Sequence, residues 1–322
     1  MLTDAFQSRG QTMLWGGRRK EYPMSIVSAK QMLVDAAMHG YAIGAFNVTN
    51  ILQMDAVIET AVARRTPVIV QTSVSPTKFV RPEVFVAAFR ALATQATVPV
   101  CLHLDHCTDA AYAKHCAELG YTNVMFDGSK LEFDENVRVT REVVEHCRKL
   151  GDITVEGELG TVSGVEDQVR VAENEAELCD PARSREYVER SGVDLFAPAI
   201  GTAHGVYVTE DPKIDFDRFA KIQQLVNGRG IVAPLIVHGG TGLKPEVVKR
   251  LVALGGAKFN VSTDLKHALI DSTFEYLTAH RSEYNPGKID SVAKQAVSAR
   301  VNYWIDLLGC AGKADAPGGS RA

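Results

Sequence analysis

From Ser25 onward the apolar and polar positions alternate between two textures. One is a short run rich in β-branched and apolar residues that ends in Gly, Asn, Asp, His or Ser. The other is an amphipathic stretch with helical spacing. The short runs predict eight strands: Tyr41–Val48, Pro67–Ser73, Pro99–His106, Asn123–Ser129, Thr154–Gly160, Leu195–His204, Pro234–Gly240 and Lys258–Thr263. Helical patterns lie between them at 50–65, 83–95, 108–119, 134–150, 184–191, 215–227 and 245–254. A further helix, Ser28–His39, precedes the first strand with Ser28 as its N-cap. Two more, Asp264–His280 and Asp290–Leu308, follow the last.

Eight β-α units in series, without a composition break, predict a single-domain (β/α)8 TIM barrel of the α/β class. A doubly wound sheet would want a G-x-G-x-x-G turn after an early strand, and no such fingerprint occurs. The chain has 322 residues, more than the ~250 of most single domains, but barrels are a regular exception. Residues 1–23 carry Arg9, Arg18, Arg19 and Lys20 with little periodicity, and read as a disordered leader. The barrel domain is expected over 24–308, with a C-terminal helical extension. Residues 309–322 read as a flexible tail. The polar, acidic insertion Thr161–Arg183 reads as a mobile loop over the barrel mouth.

Composition narrows the function classes. Hydrophobic residues make up 46% and charged residues 23%, which excludes wholesale disorder. The formal net charge is -4, so no basic excess exists to neutralise a nucleic-acid backbone. No apolar run reaches the ~18 residues of a membrane span. Six cysteines are scattered without a C-x-x-C pair, and no apolar segment of a signal peptide follows Met1. These features predict a reduced, cytoplasmic setting, with neither nucleic acid nor membrane as partner.

In such barrels chemistry gathers at the C-terminal ends of the strands. Those ends offer Asn47; Gln71 and Ser73; His103, Asp105 and His106; Asp127 and Ser129; Glu156 and Glu158; His204; His238; and Asn260, Ser262 and Thr263. One histidine at a strand end is ordinarily a hydrogen-bonded rim residue. His106, His204 and His238 end three separate strands, and three imidazoles around an open position are a common catalytic zinc arrangement. Period-two alternation turns His103 and Asp105 into the barrel, so His103 reads as a support to the ligands. The glycines of Val237–Leu243 can aim backbone N–H groups at one centre, with Asn260, Ser262 and Thr263 beside them. Such nests bind phosphate without lysine. A Schiff-base route would need a lysine projecting into the mouth; the strand ends offer Lys130 after the fourth strand, Lys258 reads as entering the eighth from the wrong end, and the metal route is preferred.

Five motifs in order, LHLDHC (102–107), GELGTVSGVED (157–167), GTAHG (201–205), VHGGTG (237–242) and NVSTDL (260–265), resemble the class II, metal-dependent ketose-bisphosphate aldolases. That family includes fructose- and tagatose-bisphosphate aldolases, and GTAHG is closer to the tagatose type. The resemblance spans Ser25 to Leu308. It implies that His106, His204 and His238 bind a catalytic Zn²⁺. It implies Asp105 as the proton donor and Glu166 as the base. Asp127 and Glu158 match positions that hold a second or resting metal, and the expected cofactors are Zn²⁺ with a second divalent or a monovalent cation. Gly205, Gly239, Gly240, Thr241, Asn260, Val261, Ser262 and Thr263 match a dihydroxyacetone-phosphate cradle, and Asn47 and Ser73 match positions facing substrate. The expected partner is a small sugar phosphate, and the expected assembly a homodimer or homotetramer.

Two departures bear on the substrate. Val208 stands where the family usually has lysine, and Asn285-Pro286-Gly287 stands where it often has Asp-Pro-Arg, with Lys288 next. Both missing cations would touch phosphate, which raises a ketose 1-phosphate as an alternative to a bisphosphate. Two other readings keep parts of the pattern. A barrel hydrolase or epimerase would use the histidines to activate water, and a non-enzymatic barrel would only bind a sugar phosphate.

Overall fold

The computed structural model describes residues 12–15, 18–21, 25–166, 169–171, 176–205, 207, 212–230 and 232–315. Eight parallel strands close into a barrel. In chain order they are β1 (Ile43–Asn47), β2 (Val68–Thr72), β3 (Val100–Cys107), β4 (Asn123–Phe126), β5 (Thr154–Leu159), β6 (Leu195–Pro198), β7 (Leu235–Val237) and β8 (Gly256–Val261). Each pairs with its sequence neighbour, and β8 closes onto β1. Among the described residues no helix is long and apolar enough to cross a membrane.

Helices cover the barrel wall because each presents an apolar stripe to the outer face of the strands. Phe85, Val86 and Phe89 bury the inner face of Pro82–Ala93, and Val137, Val143, Val144 and Cys147 that of Phe133–Leu150. Caps fix where helices start: Asn50 accepts from the Gln53 N–H, Asp109 from Ala111 and Tyr112, and Asp215 from Arg218. Ser28 stands at the expected cap position of Ala29–His39, but its hydroxyl donates to Asp152 instead.

The structure redraws several expected elements. An additional helix, Val74–Val80, follows β2, with Ser73 at its N-cap position. The sixth predicted strand is not continuous. β6 stops at Pro198, Gly201 takes φ +96, and Ala203–His204 forms a separate short strand outside the barrel sheet. That strand pairs with Ser163–Glu166, which pairs in turn with Val169–Val171. The insertion expected as a mobile loop thus supplies two strands of a three-stranded sheet that Ala203–His204 completes. The last helix begins at Pro286, four residues before the expected start, because Asn285 caps it by accepting from the Gly287 N–H.

The segment expected as a tail stays packed through Ala314: Cys310 is buried, and the Gly312 and Ala314 N–H groups donate to the Arg64 and Arg65 carbonyls. Residues 316–322 lie outside the described residues. Within the expected leader, Thr12–Trp15 pairs antiparallel with Arg18–Glu21.

Candidate metal and active site

The inner face of the barrel is polar near the mouth, and one irregularity explains how. Between Leu104 and Cys107, β3 advances three residues while β4 advances two, from Val124 to Phe126. This extra residue is a bulge. It sits at His106, whose φ of 44° is in the left-handed region that non-glycine residues rarely enter. Simple alternation turns Asp105 inward and would turn His106 outward. The bulge lets both consecutive side chains serve the interior, at a backbone cost of ~1–3 kcal/mol.

His106, His204 and His238 converge. Their ligand nitrogens lie within 4.8 Å of one another, and all three side chains are buried. The His106 ring sits 4.6 Å from that of His204 and 4.5 Å from that of His238, centroid to centroid. A second donor set, His106 with Asp127 and Glu158, overlaps the first with the same 4.8 Å spread. His106 Nδ1 lies 3.0 Å from Asp127 Oδ2, while its buried Nε2 has no hydrogen-bond partner. His238 Nδ1 lies 3.0 Å from Glu158 Oε2, and its Nε2 lies 2.9 Å from Glu156 Oε1.

The charge balance also asks for a cation. Asp105, Asp127, Glu156 and Glu158 are all buried here, against one buried ammonium among the described residues, Lys258. Burial pushes Asp127 upward, but its hydrogen bond and charge interaction with His106, and its bonds from Ser129, hold it well below the usual carboxylate range. Burial and His106 push His238 down, but Glu156 and Glu158 outweigh them and raise it to about 9. His106 is likewise raised: burial opposes its charge, and Asp105, Asp127 and Glu158 overcome that. A divalent cation would answer the same negative field with neutral imidazoles as ligands. The donor set, the orphaned Nε2 and the excess of acids all fit a metal.

Asp105 lies beside these histidines, fully buried and fixed by amides. It accepts from Asn47 Nδ2 at 2.9 Å, Asn260 Nδ2 at 3.0 Å and Gln71 Nε2 at 3.3 Å. Asn47 therefore orients the Asp105 carboxylate. Glu166 ends the Ser163–Glu166 strand, one strand away from His204, and its side chain lies outside what is described. Ser73 is buried at the start of Val74–Val80. Gly205 follows His204 directly.

The residues expected to cradle phosphate meet at the ends of β7 and β8, where the Gly240 N–H donates to the Asn260 carbonyl. Thr241 Oγ1 and Ser262 Oγ are buried without a hydrogen-bond partner. Ser262 and Thr263 begin the 17-residue helix Thr263–Ala279. Val261 is the last residue of β8 and is buried. The Gly240 N–H is spent on the Asn260 carbonyl, so it is not part of an open nest. Trp304 backs the turn and donates to Asp264, which also pairs with Arg300. The last two helices thereby brace this turn.

Gly239 is a glycine for a measurable reason. Its φ is +67°, and a Cβ there would lie 2.3 Å from the Ala203 carbonyl oxygen. Gly239→Ala should push the His238 turn away from the His204 strand. We expect a lower Tm, with at least ~1 kcal/mol lost to the backbone conformation alone. An unchanged Tm would contradict both the clash with Ala203 and the backbone cost at residue 239.

Sequence reasoning missed Lys258. It does not enter from the wrong end: β8 starts at Gly256, and Lys258 points into the barrel, fully buried, with Nζ 2.7 Å from Glu156 Oε2 and 3.2 Å from His103 Nε2. Its spacing of two from Asn260 carried the signal, since alternate residues share a face.

The comparisons with known proteins point one way. The YdjI aldolase from Escherichia coli K12 shares 30% identity at a TM-score of 0.78, over 90% of this chain and 100% of that one. A structure from Coccidioides immitis, described as a candidate fructose-1,6-bisphosphate aldolase, shares 28% identity at a TM-score of 0.80, over 88% and 96%. Fructose-bisphosphate aldolase from Campylobacter jejuni, at 23% identity and a TM-score of 0.75 over 90% and 97%, shares the fold. The family model for fructose-bisphosphate aldolase class II matches residues 27–313, which contain every donor and amide described above; the chain belongs to the class II fructose-bisphosphate aldolase family.

Proposed function

We propose that this chain is a zinc-dependent aldolase that reversibly cleaves a ketose phosphate, such as fructose or tagatose 1,6-bisphosphate, to dihydroxyacetone phosphate and an aldehyde. The observation that carries this is the adjacency of two devices: three convergent imidazoles, and a carboxylate fixed by Asn47, Asn260 and Gln71. Zinc held by His106, His204 and His238 would act as a Lewis acid toward the ketone oxygen, drawing off charge as the carbon–carbon bond breaks.

The remaining work falls to side chains. In the cleavage direction Asp105 takes the proton from the hydroxyl on the carbon that becomes the aldehyde. The amides hold Asp105 in one orientation, so no rearrangement is needed at that moment. Glu166 returns a proton to the carbon next to the carbonyl, from a strand tied to that of His204. Thr241 and Ser262 offer unpartnered hydroxyls to the phosphate of the dihydroxyacetone half. The helix that starts at Thr263 adds its N-terminal dipole. Asp127 and Glu158, clustered with His106, supply the site for a second or resting metal. In this reading the chain is cytoplasmic and assembles as a homodimer or homotetramer, and Ile270 and Phe274, exposed one turn apart on Thr263–Ala279, supply apolar surface for it.

A second reading, a ketose 1-phosphate substrate, is favoured by one observation. Asn285-Pro286-Gly287 is spent on starting a helix, and the Lys288 ammonium is engaged by Glu283 at 2.8 Å. Val208 lies outside the described residues. Cleavage assays on fructose 1,6-bisphosphate, tagatose 1,6-bisphosphate and matched ketose 1-phosphates distinguish the two. The bisphosphate reading expects kcat/KM to fall at least ~10-fold when the distal phosphate is removed, the equivalent of about 1.4 kcal/mol. Equal or higher values for the 1-phosphates would establish the second reading.

A further inference from the structure

Lys258 has no part in the proton transfers just described, yet it is among the most deeply buried residues of the chain. A buried ammonium is costly unless paired and hydrogen-bonded. Its pairing forms a short relay to the metal site. Lys258 Nζ donates to Glu156 Oε2 at 2.7 Å, and the other oxygen of the same carboxylate, Oε1, lies 2.9 Å from His238 Nε2. Lys258 also donates to His103 Nε2 at 3.2 Å, and Asn123 meets His103 Nδ1 at 2.7 Å. The ammonium is therefore clamped from two sides, by β5 through Glu156 and by β3 through His103.

This matters because imidazole has two nitrogens and only one can serve the metal. A carboxylate on one nitrogen holds the proton there and frees the lone pair of the other. In His238 the Nδ1 atom faces the donor cluster, 3.0 Å from Glu158 Oε2. Glu156 lies on the opposite nitrogen. A carboxylate free to rotate could not enforce that choice, and nothing on β5 itself holds it.

We propose that Lys258 is a positioning residue for the metal: by fixing Glu156 Oε2 it turns Oε1 to His238 Nε2–H, leaving His238 Nδ1 as the metal-binding nitrogen. The inference rests on the reading of His106, His204 and His238 as a metal site. It assigns Lys258 neither substrate contact nor covalent chemistry.

The test uses the full chain stripped of metal, titrated with Zn²⁺ against a chromophoric chelator, and separately loaded with Co²⁺ for its visible absorption bands. Lys258→Met keeps the length of the side chain and removes its charge. We expect it to weaken zinc binding ~10–100-fold and to shift the Co²⁺ bands. A role confined to filling the barrel predicts a change in Tm alone, so wild-type zinc affinity with unchanged Co²⁺ bands would overturn the proposal. If Lys258→Met does not fold, the double variant Glu156→Gln/Lys258→Met removes both charges together. It should still bind zinc at least ~10-fold more weakly, and wild-type affinity there overturns the proposal equally. A wild-type chain that takes up neither metal sinks the three-histidine reading as well. A wild-type chain that binds both, with variants unaltered, sinks the role of Lys258 alone.

Discussion

Replacing Asp105 with alanine should lower kcat for cleavage by ~10²–10⁴-fold, the usual contribution of a positioned acid or base, while zinc content stays at the wild-type level. Asp105 touches none of the three imidazoles at hydrogen-bond distance, and its contact with His103 Nε2 is 3.8 Å. Its partners are the amides of Asn47, Asn260 and Gln71. Removing it therefore deletes the proton acceptor and leaves the metal donors in place. The alanine variant strands the amide donors of Asn47 and Asn260 in a buried site, at ~1–3 kcal/mol each, while Gln71 Nε2 keeps the Asn47 carbonyl oxygen as acceptor. Asp105→Asn is the companion, because it fills the same space and keeps one acceptor oxygen. Both variants should bind substrate with KM changed far less than kcat, since the lost interaction belongs to the reaction step. A kcat within a few-fold of wild type in a folded, metal-loaded Asp105→Asn protein would remove Asp105 from the chemistry.

His106→Ala should be more damaging still. His106 belongs to both donor sets, so its loss breaks the three-imidazole cluster and the Asp127–Glu158 cluster together. Metal charge stabilisation in the transition state is worth several kcal/mol, which corresponds to ~10³-fold or more in rate. We expect zinc content to fall to background and activity with it. Asp127, which relies on the imidazole at 3.0 Å, loses a principal partner. The left-handed backbone at residue 106 is set by the bulge in β3, so the variant inherits the conformational cost without the ligand that gives it a purpose. Zinc retained at one equivalent in His106→Ala would mean that the metal, if it serves the reaction, is held elsewhere.

Much of the barrel is legible in the chain because each strand is a short β-rich run bounded by turn residues, and each helix carries its own apolar stripe and cap. What local patterning could not reveal were breaks within runs and their three-dimensional consequences. Leu195 to His204 reads as one apolar strand, but Pro198 and the positive φ of Gly201 divide it. That division moves His204 out of the barrel sheet and onto the sheet formed by the insertion. Alternation alone allows Asp105 inside and turns His106 out; only the bulge brings both in. The polar interior behind the metal site was the larger omission. Glu156, Lys258 and His103 were each visible, but their mutual contact depends on β5, β8 and β3 facing one another across a closed barrel. Pairings of that kind have sequence separations of 102 and 155 residues and leave no local trace.

The most direct measurement is cleavage activity of the purified chain during metal removal and return. Excess chelator should abolish retro-aldol cleavage. Adding Zn²⁺ back should restore it in proportion to zinc bound, saturating at one catalytic equivalent per chain. Full activity in excess chelator, with no zinc in the protein, would contradict a metal-dependent mechanism and send the search for the electron sink to another group.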